Sequence, residues 1–234
     1  MIGPPNSGKS YQLLKIYLAL QELKKKMFLV DLEDKLEATM IGLKVPVPKD
    51  LYIPLTWEEY RETVDDILTK AKEGDWIGVD RVDLTWPMDQ RSFSQQKYKK
   101  ELADRLLEKS KALTKPSMFT PRFDKGDWQP INEAYDSTML KLLYRSRCNI
   151  VMTAGIRGIE DDNPLDVFGH LGVAPRGQKE LAHQPHSAFL LHLKVQNKEL
   201  SWLISTGKDL PGRELFDSNL LFDIWLQYLN QFVT

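Results

Sequence analysis

Apolar residues recur at helical spacing in residues 11–26, where Leu13, Leu14, Tyr17, Leu18, Leu20 and Leu23 predict a helix. The period then changes. Met27-Phe28-Leu29-Val30 is a short continuous apolar run that ends in Asp31, Glu33 and Asp34, and it predicts a strand after the first helix. Strand–helix–strand with a right-handed crossover is the expected connection. Trp76-Ile77-Gly78-Val79-Asp80 is a second buried-type strand, introduced by the turn signal Gly74-Asp75. Helices are predicted at about 56–72, 94–113 and 131–147, with Leu102, Leu106 and Leu107 on one side of the middle one. Residues 114–130 hold three prolines and a Lys-Gly-Asp turn and read as irregular. Residues 157–177, rich in Gly, Pro and Asp, read as a long loop. A hairpin is expected from 188–195 and 199–206 around Asn197-Lys198, followed by a closing amphipathic helix at 220–232. The pattern predicts an α/β fold: a mostly parallel central sheet flanked by helices, a late β-hairpin, and a basic helical insert at about 88–130 within a single domain.

The most specific chemistry lies at the start of the chain. Gly3-Pro4-Pro5-Asn6-Ser7-Gly8-Lys9-Ser10 satisfies every fixed position of G-x-x-x-x-G-K-[ST], the phosphate-binding loop, and a helix is predicted directly after it. Loop and helix N-terminus then present backbone N–H groups and a positive dipole end to an anion. Lys9 is expected to reach the β- and γ-phosphates, and Ser10 to ligate Mg²⁺. Residues 3–10, with Tyr11 beside them, are the candidate nucleotide contacts. Such a loop normally follows a buried strand, yet only Met1 and Ile2 precede Gly3; that strand is either longer upstream, missing or very short.

Two carboxylates complete the expected site. Asp80 closes the Trp76 strand, which suits the Walker-B aspartate that holds Mg²⁺ together with Ser10. Acids at a strand's carboxyl end lie where open α/β sheets bind ligands, so Glu33 is a candidate general base for the attacking water. The alternative is that Asp31, Glu33 and Asp34 solvate a loop. The residue after Asp80 is Arg81 rather than the glutamate that many motor ATPases place there, which turns the search for a base to Glu33.

Composition narrows the setting. The chain has 234 residues, with 42% apolar and 28% charged, enough for one large domain. No apolar run approaches the roughly 20 residues of a membrane span, and the glycine loop stands where a signal peptide would be. The single cysteine, Cys148, excludes an internal disulfide and a cysteine-based zinc site. A cytoplasmic protein is the expectation. His170, His183, His186 and His192 lack metalloprotease spacing and read as loop or core residues. Formal net charge is only -1, but residues 91–125 carry ten Lys/Arg, well in excess of their acids. Phe93, Tyr98, Phe119 and Phe123, then Trp128, are interleaved with these cations. Such a stretch either stacks bases and meets the phosphates of single-stranded DNA or packs the insert internally.

Taken in order, these motifs resemble the RecA/KaiC-like ATPases, and in particular the phage-encoded RecA-like ATPases associated with single-strand annealing and recombination. The resemblance rests on the loop of residues 3–10, Phe28-Leu29-Val30-Asp31-Leu32-Glu33, Ile77-Gly78-Val79-Asp80-Arg81-Val82, Asn149-Ile150-Val151-Met152-Thr153-Ala154 and Ser205-Thr206-Gly207-Lys208-Asp209. It implies ATP and Mg²⁺ as ligands, Lys9, Glu33 and Asp80 as catalytic residues, and DNA as the partner acted upon. It also implies a homo-oligomeric ring or filament in a host cytoplasm. Thr153 then stands nearest the phosphate-sensing position, since Gly155 occupies the place where the family often has Gln, His or Asn. Lys208 corresponds to the lysine that reaches a neighbouring subunit's nucleotide, although Asp209 and Leu210 follow it and Arg213 comes later. A P-loop small-molecule or nucleotide kinase, with Arg122, Arg157 and Arg176 serving a lid, and a slow ATP-binding assembly protein are the rival readings.

Overall fold

In the computed structural model, the described residues are 1–111, 123–159, 168, 172–182, 184–196, 199–209 and 218–219. Contacts divide the chain into two units, one formed by Met1–Ile53, Gly74–Leu84 and Cys148–Thr234, the other by Pro54–Glu73 and Thr85–Arg147.

The first unit is built on a parallel sheet. Helix α1 (Lys9–Glu22) leads to β1 (Met27–Asp31); α2 (Leu36–Gly42), β2 (Leu51–Tyr52), β3 (Trp76–Asp80) and β4 (Asn149–Met152) follow. The strand order is β2-β1-β3-β4, and every pairing in it is parallel. Every residue of β1 and of β3 is buried, which explains why both read as unbroken apolar runs rather than alternating ones. Their register sets Asp31 opposite Asp80, so two strand ends deliver carboxylates to one edge. Leu13, Leu14, Ile16 and Leu20 of α1 share a core with Leu29, Leu36, Met40 and Leu191.

The short stretch before the loop takes a strand position after all. Ile2 forms parallel bridges to Ala154 on one side and Leu190 on the other. Its N–H donates to Phe189 O at 2.7 Å, and its carbonyl accepts from Leu191 N–H at 2.7 Å. It thereby joins the first sheet to a second one of order β7-β8-β9, formed by β7 (Ser187–Gln196), β8 (Glu199–Asp209) and β9 (Ser218–Asn219). The expected hairpin is β7–β8, antiparallel, with an irregularity at Ala188/Phe189. The loop expected at 157–177 contains an antiparallel pair, β5 (Ile156–Gly158) with β6 (Val173–Pro175). The helix expected at 220–232 lies outside the described residues, and no described helix is long and apolar enough to cross a membrane.

The second unit is helical. Helix α3 (Trp57–Lys70) starts at a full capping box, in which the Thr56 side chain accepts from Glu59 N–H and the Glu59 carboxylate accepts from Thr56 N–H. It packs with α4 (Thr85–Tyr98), and its Trp57 stacks on Tyr135 of α6 (Trp128–Leu140). A single helix over 94–113 is not what forms. Lys99 takes a left-handed φ of 55°, Ser94 Oγ donates to Lys100 O, and the chain restarts as α5 (Leu102–Lys111). Helix α6 begins three residues before its predicted start, because Pro130 falls in its first turn, where no intrahelical N–H is missed. Its continuation, Lys141–Arg145, widens into π-helical geometry.

Inside this unit Asp89 of α4 is 2% exposed and its Oδ2 has no hydrogen-bond partner. Burial pushes its carboxyl up to about 7, with Glu58 and Asp136 adding to the rise and Arg61 opposing it. The folded form therefore binds a proton that the unfolded chain releases near pH 4, and stability falls as pH rises from about 4 to about 7. Asp89→Asn is expected to raise stability by roughly 1–3 kcal/mol at pH 8 and to lose most of that advantage at pH 5. Paired denaturant titrations at the two pH values check this; an advantage equal at both would place the unpaired charge elsewhere.

Candidate nucleotide site

The loop is shaped by two glycines. A Cβ on Gly3 would stand 2.3 Å from Ser7 Oγ and 2.5 Å from Leu191 O, so only glycine lets the loop leave the sheet this closely. Gly8 caps α1 at φ 85°, a left-handed conformation that side chains disfavour. The helix starts at Lys9 with no side-chain cap, and the first N–H groups of a helix have no intrahelical partner. Ser7 is fully buried, and its Oγ has no hydrogen-bond partner. A buried unpaired hydroxyl is costly unless something binds there. Lys9 is also buried, with Nζ donating to Gly3 O at 2.9 Å and Pro4 O at 2.8 Å. Desolvation lowers its pKa from the ordinary lysine value; the charge of Arg81 adds to this, and Asp80, Asp83 and Glu33 oppose it.

At the first turn of α1, Ser10 Oγ donates to Asp80 Oδ2 at 2.7 Å. Thr153, just beyond β4, donates its hydroxyl to Asp80 Oδ1 and accepts from Arg81 N–H at 2.9 Å. Burial raises the Asp80 pKa, as do Asp31 and Glu33, while the two hydroxyl donors lower it. A Ser hydroxyl and a carboxylate are hard oxygen donors and fit Mg²⁺, which takes few protein ligands and completes its shell with water and phosphate. Among the described residues no cluster of three or more His, Cys, Asp or Glu could hold a metal ion.

The acids after β1 have different fates. Asp31 is fully buried and is used by the backbone: Oδ1 accepts from Glu33 N–H at 3.0 Å, and Oδ2 accepts from Lys35 N–H at 2.7 Å and Leu36 N–H at 2.6 Å. It thus ties down the turn that presents Glu33. Glu33 is partly exposed and meets Arg81 Nη1 at 2.8 Å and Lys35 Nζ at 3.1 Å. Asp34 takes a left-handed φ of 54° in the same turn.

Arg81 and Asp83 were not singled out as site residues by sequence pattern. Arg81 donates from Nε to Asp83 Oδ1 at 3.0 Å and from Nη2 to Asp83 Oδ2 at 3.1 Å, and this hydrogen-bonded pairing raises its pKa. Asp83 also accepts from Gly155 N–H at 3.1 Å. The structure therefore brings Lys9, Ser10, Asp80 and Thr153 together with Glu33 and Arg81. Asn6 sits at the loop's crest with φ 62°, flanked by Pro5 and Ser7, and Tyr11 lies in α1 with Lys15 Nζ 5.5 Å from its ring centre. The backbone of Lys208 lies on β8 opposite Ala188.

In the helical unit, the aromatics proposed for base stacking contact one another. Phe93 meets Tyr98 and Phe123 edge-on, and Phe123 meets Trp128 likewise. The Arg105 guanidinium covers Tyr98 at 3.6 Å. Lys97 pairs with Asp127, Lys100 with Glu108 and Lys109 with Asp124. For Phe93, Tyr98, Phe123 and Trp128 the geometry favours internal packing; Phe119 and Arg122 lie outside the described residues.

No protein-family model and no curated protein matches the chain. Among solved structures, it is similar to a KaiC-like protein from the hyperthermophilic archaeon Pyrococcus horikoshii OT3, at 13% sequence identity and a TM-score of 0.48, with 93% of this chain and 80% of that chain covered.

Proposed function

We propose that this chain is a RecA-like ATPase that binds Mg-ATP in the loop of residues 3–10, hydrolyses it, and couples the cycle to DNA as a homo-oligomer. The observation that carries the nucleotide reading is the hydrogen bond from Ser10 Oγ to Asp80 Oδ2 at 2.7 Å. It joins the end of the phosphate loop to the end of β3 through two oxygen ligands suited to Mg²⁺, directly beside Lys9. Bound there, Mg²⁺ would neutralise charge on the β- and γ-phosphates. Lys9 would exchange the loop carbonyls for phosphate oxygens, and the loop N–H groups would complete the cradle. Glu33 would accept a proton from water as its oxygen bonds to the γ-phosphorus. The bond from that phosphorus to the bridging oxygen breaks, and the electron pair leaves on ADP. Thr153, bonded to Asp80 and Arg81, would hold the two in register; Lys208 would act towards a neighbouring subunit.

The DNA part rests on the cationic surplus of residues 91–125, with exposed Lys99 and Lys100 as candidate phosphate contacts. Steady-state Mg-ATP turnover with and without single-stranded DNA tests both parts. Turnover is expected, with several-fold stimulation by DNA that weakens as salt rises. Turnover indifferent to DNA would remove the DNA role. Absence of both nucleotide binding and turnover would remove the ATPase reading.

A further inference from the structure

Arg81 is built into the site in an unusual way. It occupies the left-handed region at φ 62°, a conformation that costs a non-glycine residue of order 1 kcal/mol or more and persists only where its surroundings hold it. Here Thr153 holds it on both sides, by accepting from Arg81 N–H at 2.9 Å through its hydroxyl and from Val82 N–H at 2.9 Å through its carbonyl. From this turn the guanidinium reaches Asp83 and Glu33. Its Nε and Nη2 are both committed to Asp83, which is almost wholly buried and fixed by Gly155 N–H. Residue 155 packs closely on this fork: a Cβ there would lie 3.2 Å from Asp83 Oδ2, so the carboxylate would have to shift slightly.

The remaining nitrogen is different. Among the described residues, Nη1 meets one carboxylate oxygen, Glu33 Oε1, at 2.8 Å. Glu33 and Arg81 are 29% and 18% exposed in their side chains, so this contact faces the open side of the site. Arg81 directly follows Asp80, which accepts from Ser10 at the end of the phosphate loop, and Thr153 bonds both Asp80 and Arg81 N–H. A cation held beside the phosphate loop by an anchored carboxylate, with its remaining nitrogen on a partly exposed anion, is arranged for anion exchange.

We infer that Arg81 is a further catalytic residue of the same subunit: its Nη1 edge passes from Glu33 to the γ-phosphate of bound ATP while the fork on Asp83 stays in place. The inference rests on the ATPase reading above. One exchange does two things. It sets a fixed positive charge on the transferring phosphoryl group, where charge develops during cleavage. It also frees the Glu33 carboxylate from Arg81, leaving Lys35 as its charged neighbour, to accept the water proton. Asp83 and Thr153 are positioning residues in this scheme, since they act through Arg81.

The test compares wild type, Arg81→Ala and Arg81→Lys, each checked for folding by its thermal melt. Binding of ADP, of Mg-ATP and of ADP with aluminium fluoride, a mimic of the planar phosphoryl group, is measured beside turnover. Arg81→Ala is expected to bind ADP within about threefold of wild type, to lose at least about 100-fold in kcat, and to lose the tighter binding of the aluminium fluoride complex. Arg81→Lys keeps a charge but not the planar fork and is expected to lose at least about tenfold in kcat with KM little changed. If Arg81→Ala does not fold, the lysine variant carries the test. Turnover at or above the wild-type rate in a folded variant would overturn the role and leave Arg81 as a mere restraint on Glu33. Equal loss of ADP and aluminium fluoride binding would also overturn it, in favour of a structural role. A wild-type protein that binds no nucleotide overturns the ATPase reading as well, which separates the two failures.

Discussion

Lys9→Ala is expected to lose at least about 100-fold in affinity for Mg-ATP and all measurable turnover. The reason is the number and kind of bonds at stake. A lysine ammonium between β- and γ-phosphate oxygens makes charge-assisted hydrogen bonds worth roughly 1.5–3 kcal/mol each. Two of them amount to roughly 3–6 kcal/mol, where 1.4 kcal/mol is a factor of ten. In the free protein Nζ is not idle, since it bonds to Gly3 O and Pro4 O. The variant therefore also unties the loop from within, and part of the loss comes from a cradle that is less ordered before the ligand arrives. Titration with a fluorescent ATP analogue measures the effect. Affinity equal to wild type would remove residues 3–10 as the phosphate site, whatever the match to the motif.

Glu33→Gln separates binding from chemistry. The amide has the shape of the carboxylate but does not take a proton, and loss of a positioned base costs about 10²- to 10⁴-fold in rate. Mg-ATP affinity is expected to stay within about threefold, because Glu33 carries neither the metal nor the phosphates in the proposed arrangement. Stability should change little. The Arg81–Glu33 pair is partly exposed, and pairs of that kind contribute at most about 1 kcal/mol. Single-turnover and steady-state rates on the same preparation read the outcome; hydrolysis at the wild-type rate would rule Glu33 out as the base. The neighbouring acid is no substitute. Both oxygens of Asp31 are used by backbone N–H groups of the turn, so Asp31→Asn should act on the placement of Glu33 rather than on proton transfer.

Much of the first unit was legible residue by residue. Strands β1 and β3 match the apolar runs at Met27 and Trp76 because strands covered on both faces exclude polar side chains. The loop was legible because phosphate binding by backbone needs glycine at Gly3, for close approach, and at Gly8, for its left-handed φ. The single-residue bridge at Ile2 was not, since one residue carries no period. Nor was the break between α4 and α5 at Lys99: the left-handed turn there is closed by a Ser94 bond to the Lys100 carbonyl, and a lysine gives no sign of it. Aromatics spaced among cations in residues 91–125 suit stacking on bases and stacking on one another equally well; only the placement of Phe93, Tyr98 and Phe123 against each other separates the two.

Local chemistry alone was enough to name the loop, the strand-end acids Asp31, Glu33 and Asp80, and the order of helices and strands, because each follows from short-range geometry and burial. The partnership of those groups was settled in three dimensions. Parallel register puts Asp31 beside Asp80. A left-handed turn at Arg81 and a bare Gly155 bring a guanidinium onto Glu33 and Asp83, residues 48 and 2 positions away. Read along the chain, Arg81 is only the residue that stands where a glutamate was sought. Its meaning depends on the electrostatic field of three acids, Glu33, Asp80 and Asp83, drawn from two strand ends, and such a field exists only once the sheet has assembled them.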